Sequence, residues 1–215
     1  MAWMEQLQAA NGGQATVCAI GAYLLGCFAT GYYLVRAISG RDIRDMESGS
    51  VGARNVGRVL GRTGFLLTVL GDLGKGVLAV WAADRFTSDT LLPPLAMLCV
   101  VAGHIWPVQL RFHGGKGVAT SLGALLVYDY RLAVAFALFF LGGFALIRRT
   151  ILPGLFAYAC LPLTSYGLDR DGLRLTIVAI LAGMILFAHR KNLMEEIPAL
   201  AARRAVTAKP EHPKL

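Results

Sequence analysis

Charge is what this chain has least of. Only 16% of its 215 residues are Asp, Glu, Lys or Arg, against 56% hydrophobic residues. A soluble domain carries about a quarter charged residues, so an ordinary water-soluble globule is excluded and a chain that crosses a membrane several times is indicated. Cysteine is also scarce: Cys18, Cys27, Cys99 and Cys160 all fall inside apolar runs. Their spacing matches neither a zinc site nor a secreted disulfide framework, and they read as small buried hydrophobes. No metal or cofactor is expected. The stretch from Met1 to Ala15 holds Glu5 but no Lys or Arg, so it lacks the basic start of a signal peptide; Trp3, Met4 and Leu7 suit a membrane interface. No internal repeat relates the two halves.

What is present is a series of apolar segments: Thr16–Ile38, Gly64–Ala83, Leu91–Pro107, Gly117–Tyr128, Leu132–Ile147, Ile151–Leu168 and Leu173–His189. A span needs about 20 apolar residues, so the fourth is short and reads as a partial, tilted or re-entrant piece. The expected fold is an all-α integral membrane protein of about seven transmembrane helices, with six as the alternative. Residues 1–199 form one polytopic domain, and 200–215 a basic tail.

The basic residues orient it. With the N-terminus outside, Arg36, Arg41, Arg44, Arg54, Arg58 and Arg62 lie inside, as do Arg111, Lys116, Arg148 and Arg149. Arg190, Lys191 and the tail join them, whereas Arg85, Arg131, Arg170 and Arg174 lie outside. Such a bias puts the C-terminus in the cytoplasm. The formal charge of +8 therefore reflects topology and is no sign of nucleic acid.

Three polar segments share that inner face. The richest runs from Gly103 to Ala119 and contains His104, Pro107 and the turn Gly114-Gly115-Lys116-Gly117. Glycines let backbone N–H groups approach an anion closely, and lysine adds a point charge suited to phosphate. A nucleotide P-loop is excluded, because Leu110 replaces the leading glycine and Gly117 the Ser or Thr after the lysine. Between the first two spans, Ser48-Gly49-Ser50-Val51-Gly52-Ala53-Arg54-Asn55-Val56-Gly57-Arg58 combines flexible backbone, hydrogen-bonding side chains and two guanidinium forks. The third segment is His189-Arg190-Lys191-Asn192. Within the second span, Asp72 and Lys75 share a helical face at i and i+3; mutual pairing or a place at the base of a polar site would each explain them.

Taken jointly, these segments resemble the acylphosphate:glycerol-3-phosphate acyltransferases of the PlsY type. Ser48 to Asn55 is similar to that family's S-G-N-x-G-A-T-N, Gly103 to Ala119 fits G-H-x-x-P-x-x-x-x-F-x-G-G-K-G-V-A at every fixed position, and His189 to Leu193 resembles H-R-x-N-I. The resemblance, from about Thr16 to Asn192, implies transfer of a fatty acyl group from acyl phosphate to the 1-hydroxyl of glycerol 3-phosphate in the bacterial cytoplasmic (inner) membrane. Lysophosphatidic acid and phosphate are the products. The expected partners are those two substrates and the bilayer; a monomer is one option for the assembly, which the sequence does not fix.

As substrate-binding residues the resemblance implies Ser48, Asn55, Arg58, His104, Gly114, Gly115, Lys116, Gly117, His189 and Asn192, with Ser50 and Arg54 as additions. No catalytic base is assigned: no histidine has an Asp five positions on, no cysteine lies in a motif, and the acyl phosphate itself would accept the proton. Departures stand at Ser50, Arg54, Arg111, His113, Glu195 and Glu196, the last two where the family carries Arg nearby. An ion pair between Arg54 and Glu195 or Glu196 is the expected compensation. Two rivals remain open: a transporter of a phosphorylated solute, and a catalytically altered homologue that binds lipid phosphate.

Overall fold

A computed structural model describes residues 12–86, 88–194, 196 and 198. The expectations for residues 1–11, Glu195 and the basic tail lie outside the described residues. Among the described residues the main helices follow in order: α1 Gly12–Cys27, α2 Thr30–Ser39, α3 Ala53–Phe86 (kinked at Gly61, φ 72°), α4 Leu92–Ile105, α5 Val118–Tyr128, α6 Tyr130–Ile147, α7 Ile151–Asp169 and α8 Gly172–Ala188. Five stretches among the described residues are long and apolar enough to cross a membrane: Gly12–Ser39, Ala53–Phe86, Leu92–Leu110, Tyr130–Ile147 and Ile151–Asp169. The other two apolar helices, α5 and α8, are shorter. The architecture is thus all-helical and of integral-membrane type, and the expected short fourth segment is the 11-residue α5.

Local chemistry sets the helix ends. Gly117, at φ 82°, turns the chain into α5 in a conformation that a side chain would strain. Pro93 and Pro94 open α4, where a missing N–H costs nothing. Asp129 caps α6 by accepting from the Arg131 N–H at 3.0 Å, and Asp171 caps α8 by accepting from the N–H of Leu173 at 2.8 Å. One expectation is revised: the first span is two helices, interrupted where Ala29 is extended (φ −82°, ψ 90°). Phe28 and Ala29 at the break are not helix breakers, although Gly26 and Gly31 flank it. Lys75 holds it, donating to the carbonyls of Gly26 (3.1 Å) and Phe28 (2.7 Å), and Gln109 donates to the carbonyl of Cys27. These are carbonyls that a continuous helix would have satisfied itself.

In lipid the apolar effect does not drive helices together, so close backbone approach matters more. A Cβ on Gly76 would lie 2.0 Å from the Thr120 carbonyl oxygen, and one on Gly123 2.0 Å from that of Leu73. α3 and α5 therefore pack backbone to backbone. Val17, Leu66, Leu70, Leu138 and Leu163 are all more than half exposed on the outer surface, as lipid-facing side chains should be. The cysteines are free; Cys27 is buried, whereas Cys18, Cys99 and Cys160 are only half-buried.

The two ends of the bundle differ. At one end, Asp129, Arg131, Asp169 and Arg174 close into a network: Arg131 pairs with Asp129 (2.8 Å) and Asp169 (2.9 Å), and Arg174 with Asp129 (2.7 Å) and Asp169. It ties the α5–α6 connection to the α7–α8 connection. The three motif segments gather at the opposite end.

Candidate functional site

The loop between α2 and α3 is built around Asn55. This side chain is 1% exposed; its Oδ1 accepts from the Ser48 N–H at 3.0 Å, and its Nδ2 donates to the carbonyls of Met46 (3.1 Å) and Ile43 (3.4 Å). Its amide is committed to shaping the loop. Ser50 is similarly engaged, its Oγ accepting from the Gly52 N–H at 3.2 Å. The Ser48 side chain, Arg54 and Arg58 are exposed, and Arg54 and Arg58 make no ion pair among the described residues. Below them Val51 and Val56 pack with Ile43, Val35, Ala29 and Leu110, so the first motif rests on the segment that leads into the glycine turn.

Arg44 staples the same two segments. It chelates Asp42 (2.6 Å), lies over the Tyr32 ring and donates to the Leu110 carbonyl at 3.0 Å. Hydrogen bonding from Arg44 holds the Asp42 carboxyl below its ordinary value, so the pair stays charged at neutral pH.

The glycine turn folds back on the end of α4. The Gly114 N–H donates to the Ile105 carbonyl (3.1 Å) and the Gly115 N–H to that of His104 (3.0 Å). These two N–H groups are therefore turned away from any anion, contrary to the sequence expectation. What the glycines provide is closeness: a Cβ on Gly115 would lie 2.1 Å from His104 Nε2, and one on Gly114 2.2 Å from the His104 oxygen. α5 begins at Val118, just after Lys116, and its N-cap Gly117 offers no side-chain cap to the N–H groups of the first turn. A helix N-terminus of this kind favours an anion.

His104 is 3% exposed and stands beneath the turn. Its Nδ1 lies 3.6 Å from Asp72 Oδ1, which also receives the Thr30 hydroxyl (3.0 Å) and pairs with Lys75 (3.0 Å). Asp72 and Lys75 do pair with each other, and the pair extends in two directions, to the break in the first span and to the underside of the turn.

The third motif closes the group. Lys116 Nζ donates to Asn192 Oδ1, joining the glycine turn to the segment after α8. His189 is buried, with Nδ1 at 2.8 Å from the Ile185 carbonyl. Burial pushes its imidazole below the ordinary value; the Ile185 bond opposes this, and the nearby charges of Lys116 and Arg54 reinforce it. His189 is thus neutral at pH 7 and feels both cationic motifs. The expected pairing of Arg54 with Glu196 does not form. Glu196 is instead paired with Arg149 of the α6–α7 connection, at 2.5 Å.

The geometry therefore brings Lys116, Asn192, His189 and Arg54 together and sets Ser48 and Arg58 on the exposed rim of the first-motif loop. Asn55, Ser50, Gly114, Gly115 and His104 support those parts from below. Sequence reasoning passed over Arg44, Gln109 and Arg149, whose partners are 66, 82 and 47 residues away. Such separations leave no local signal.

A family model described as glycerol-3-phosphate acyltransferase matches residues 16–197. The chain belongs to the glycerol-3-phosphate acyltransferase family. It is 46% identical over 185 residues to glycerol-3-phosphate acyltransferase 1 of Desulfitobacterium hafniense, covering 86% of this chain and 92% of that one. It is 38% identical over 182 residues to glycerol-3-phosphate acyltransferase of Clostridioides difficile, covering 82% and 89%. The fold is similar to the crystal structure of PlsY, an integral membrane glycerol 3-phosphate acyltransferase, in its glycerol 3-phosphate form, with TM-score 0.78, 31% identity and coverage of 86% and 92%. Against the lysophosphatidic acid form the TM-score is 0.75. The acyltransferase motifs thus coincide with the polar end of this bundle.

Proposed function

We propose that this acyltransferase moves a fatty acyl group from acyl phosphate to the 1-hydroxyl of glycerol 3-phosphate. The hydroxyl oxygen attacks the acyl carbon, the bond from that carbon to the phosphate oxygen breaks, and inorganic phosphate leaves with lysophosphatidic acid as the other product. The observation that carries this reading is the contact of Lys116 with Asn192 beside the buried His189, in a chain of this family.

Two phosphates meeting near lipid repel each other strongly unless cations lie between them. Lys116, Arg54 and Arg58 supply that charge, the first turn of α5 supplies N–H donors, and Asn192 and Ser48 supply orienting hydrogen bonds. Asn55, His104, Gly114, Gly115 and Gly117 keep these groups in place. No general base is needed when the departing phosphate takes the hydroxyl proton, so rate comes from proximity and preorganised charge.

We read the polar end as cytoplasmic, with the N-terminus outside, α5 as a partial span and α8 as a full one. The bias of basic residues supports this: Arg36, Arg41, Arg44, Arg54, Arg58, Arg62, Arg111, Lys116, Arg148 and Arg149 fall in the connections assigned to that end, against Arg85, Arg131, Arg170 and Arg174 in the others. The test is product formation by purified protein in detergent. Lysophosphatidic acid and phosphate should appear only when acyl phosphate and glycerol 3-phosphate are both present. Uptake of glycerol 3-phosphate into sealed vesicles without product would replace this reading with transport.

A further inference from the structure

Arg149 and Glu196 have no place in the scheme above, yet they meet across 47 residues of chain. Beyond α8 the backbone turns at His189 and is helical again over residues 190–194. His189 stands at that turn, and Asn192 and Glu196 follow at i and i+4 on one helical face. Each of the three has a partner: the Ile185 carbonyl for His189, Lys116 for Asn192 and Arg149 for Glu196.

Arg149 comes from the short connection between α6 and α7, which contributes nothing to the three motifs. Its side chain is 27% exposed and that of Glu196 21%, so the pair is partly shielded from solvent and screened less than a free surface pair. On one side of Asn192 the segment is held by α8 and by the Leu193 N–H, which donates to the His189 carbonyl at 3.1 Å. On the other side the Arg149–Glu196 contact is the tether. A hydrogen bond weakens steeply once donor and acceptor turn below about 120°, and helix ends fray readily.

We propose that Arg149 and Glu196 are positioning residues, which hold the Asn192 carboxamide at Lys116 so that amide and ammonium meet a substrate phosphate as one preformed unit. This rests on the assignment of Lys116 and Asn192 to substrate phosphate. The pair also accounts for an acidic residue shortly after the third motif of this chain: its cation is carried by the neighbouring hairpin.

The experiment compares wild type, Arg149→Gln, Glu196→Gln and the exchanged Arg149→Glu/Glu196→Arg, all as full chains in detergent. Each single variant should raise KM for one of the two substrates about tenfold while kcat and the unfolding temperature stay near wild type, the pattern of lost ground-state binding. The exchange should restore most of the loss. Wild-type KM values in both singles, a joint fall of kcat and unfolding temperature, or an exchange no better than the singles would overturn the proposal. Thermal unfolding with added glycerol 3-phosphate or inorganic phosphate separates it from the acyl-transfer reading. If these anions stabilise wild type, the singles lose that response and the exchange regains it, positioning stands even where no acyl product forms. If neither anion stabilises wild type and no product forms, both readings fall.

Discussion

Lys75→Met probes how a charged pair inside the bundle holds a broken helix open. The Lys75 ammonium has three partners, Asp72 Oδ1 at 3.0 Å and the carbonyls of Gly26 and Phe28 at 3.1 and 2.7 Å, and its side chain is 4% exposed. Methionine fills a similar volume but leaves the buried Asp72 carboxylate without its cation, with only the Thr30 hydroxyl at 3.0 Å and the His104 ring at 3.6 Å beside it. Losing one partner of a buried pair costs about 3–5 kcal/mol, and each orphaned carbonyl adds about 1–3 kcal/mol before relaxation. These effects overlap at one site and do not add, so we take about 4 kcal/mol for the single variant. At about 2–4 °C per kcal/mol for a chain of this size, the unfolding temperature should fall by about 8–16 °C. The double variant Asp72→Asn/Lys75→Met removes the uncompensated charge and leaves only the two carbonyls, worth about 2 kcal/mol or about 4–8 °C. The assay is thermal unfolding of detergent-purified protein. The reasoning fails if the single variant melts within about 2 °C of wild type, or if the double variant melts below the single.

The remaining predictions concern the two ends of the bundle. His189 is held below its ordinary 6.5, so the folded state binds its proton less readily than the unfolded chain does. Its contribution to stability is complete above pH 6.5 and is lost as the pH falls below that value; His189→Gln should therefore flatten unfolding temperature against pH on the acid side. If the acyl phosphate accepts the proton, replacing His104, His113 or His189 in turn should leave an acidic limb in the pH–rate profile, and its disappearance in one variant would reveal a protein base. Asp129→Asn should lower the unfolding temperature by about 3–6 °C, corresponding to about 1–2 kcal/mol after discounting the well-exposed Arg131, and leave both KM values unchanged. A changed KM there would mean the ion network reaches the site.

Much of the architecture was legible because lipid demands long apolar runs, and the polar site because its residues come in short contiguous motifs. Gly114-Gly115-Lys116-Gly117 was visible as a turn suited to phosphate, with an ordinary glycine-rich turn as the alternative from its residues alone. The direction of its N–H groups was not visible, since it depends on where the end of α4 places the carbonyls of His104 and Ile105. The break at Ala29 was hidden for a similar reason: Phe28-Ala29-Thr30 holds no helix breaker, and the groups that stabilise the break, Lys75 and Gln109, arrive from α3 and from the turn after α4. Asp72 and Lys75 were visible as a pair at i and i+3, but their further contacts with Thr30, Phe28 and His104 were not. Arg54 and Glu196 show the opposite error. Complementary charge at a shared membrane border suggested a pair, and Arg149 took the carboxylate.

The account stands most directly on Lys116, which joins the glycine turn to the third motif. Acyl transfer from acyl phosphate to glycerol 3-phosphate should be measured for Lys116→Ala alongside its unfolding temperature. Removing a preorganised cation from the reacting phosphate should slow transfer by about 100-fold or more, while the unfolding temperature stays within about 3 °C of wild type. Transfer at the wild-type rate by a correctly folded Lys116→Ala protein would contradict the assignment of this turn as the phosphate site.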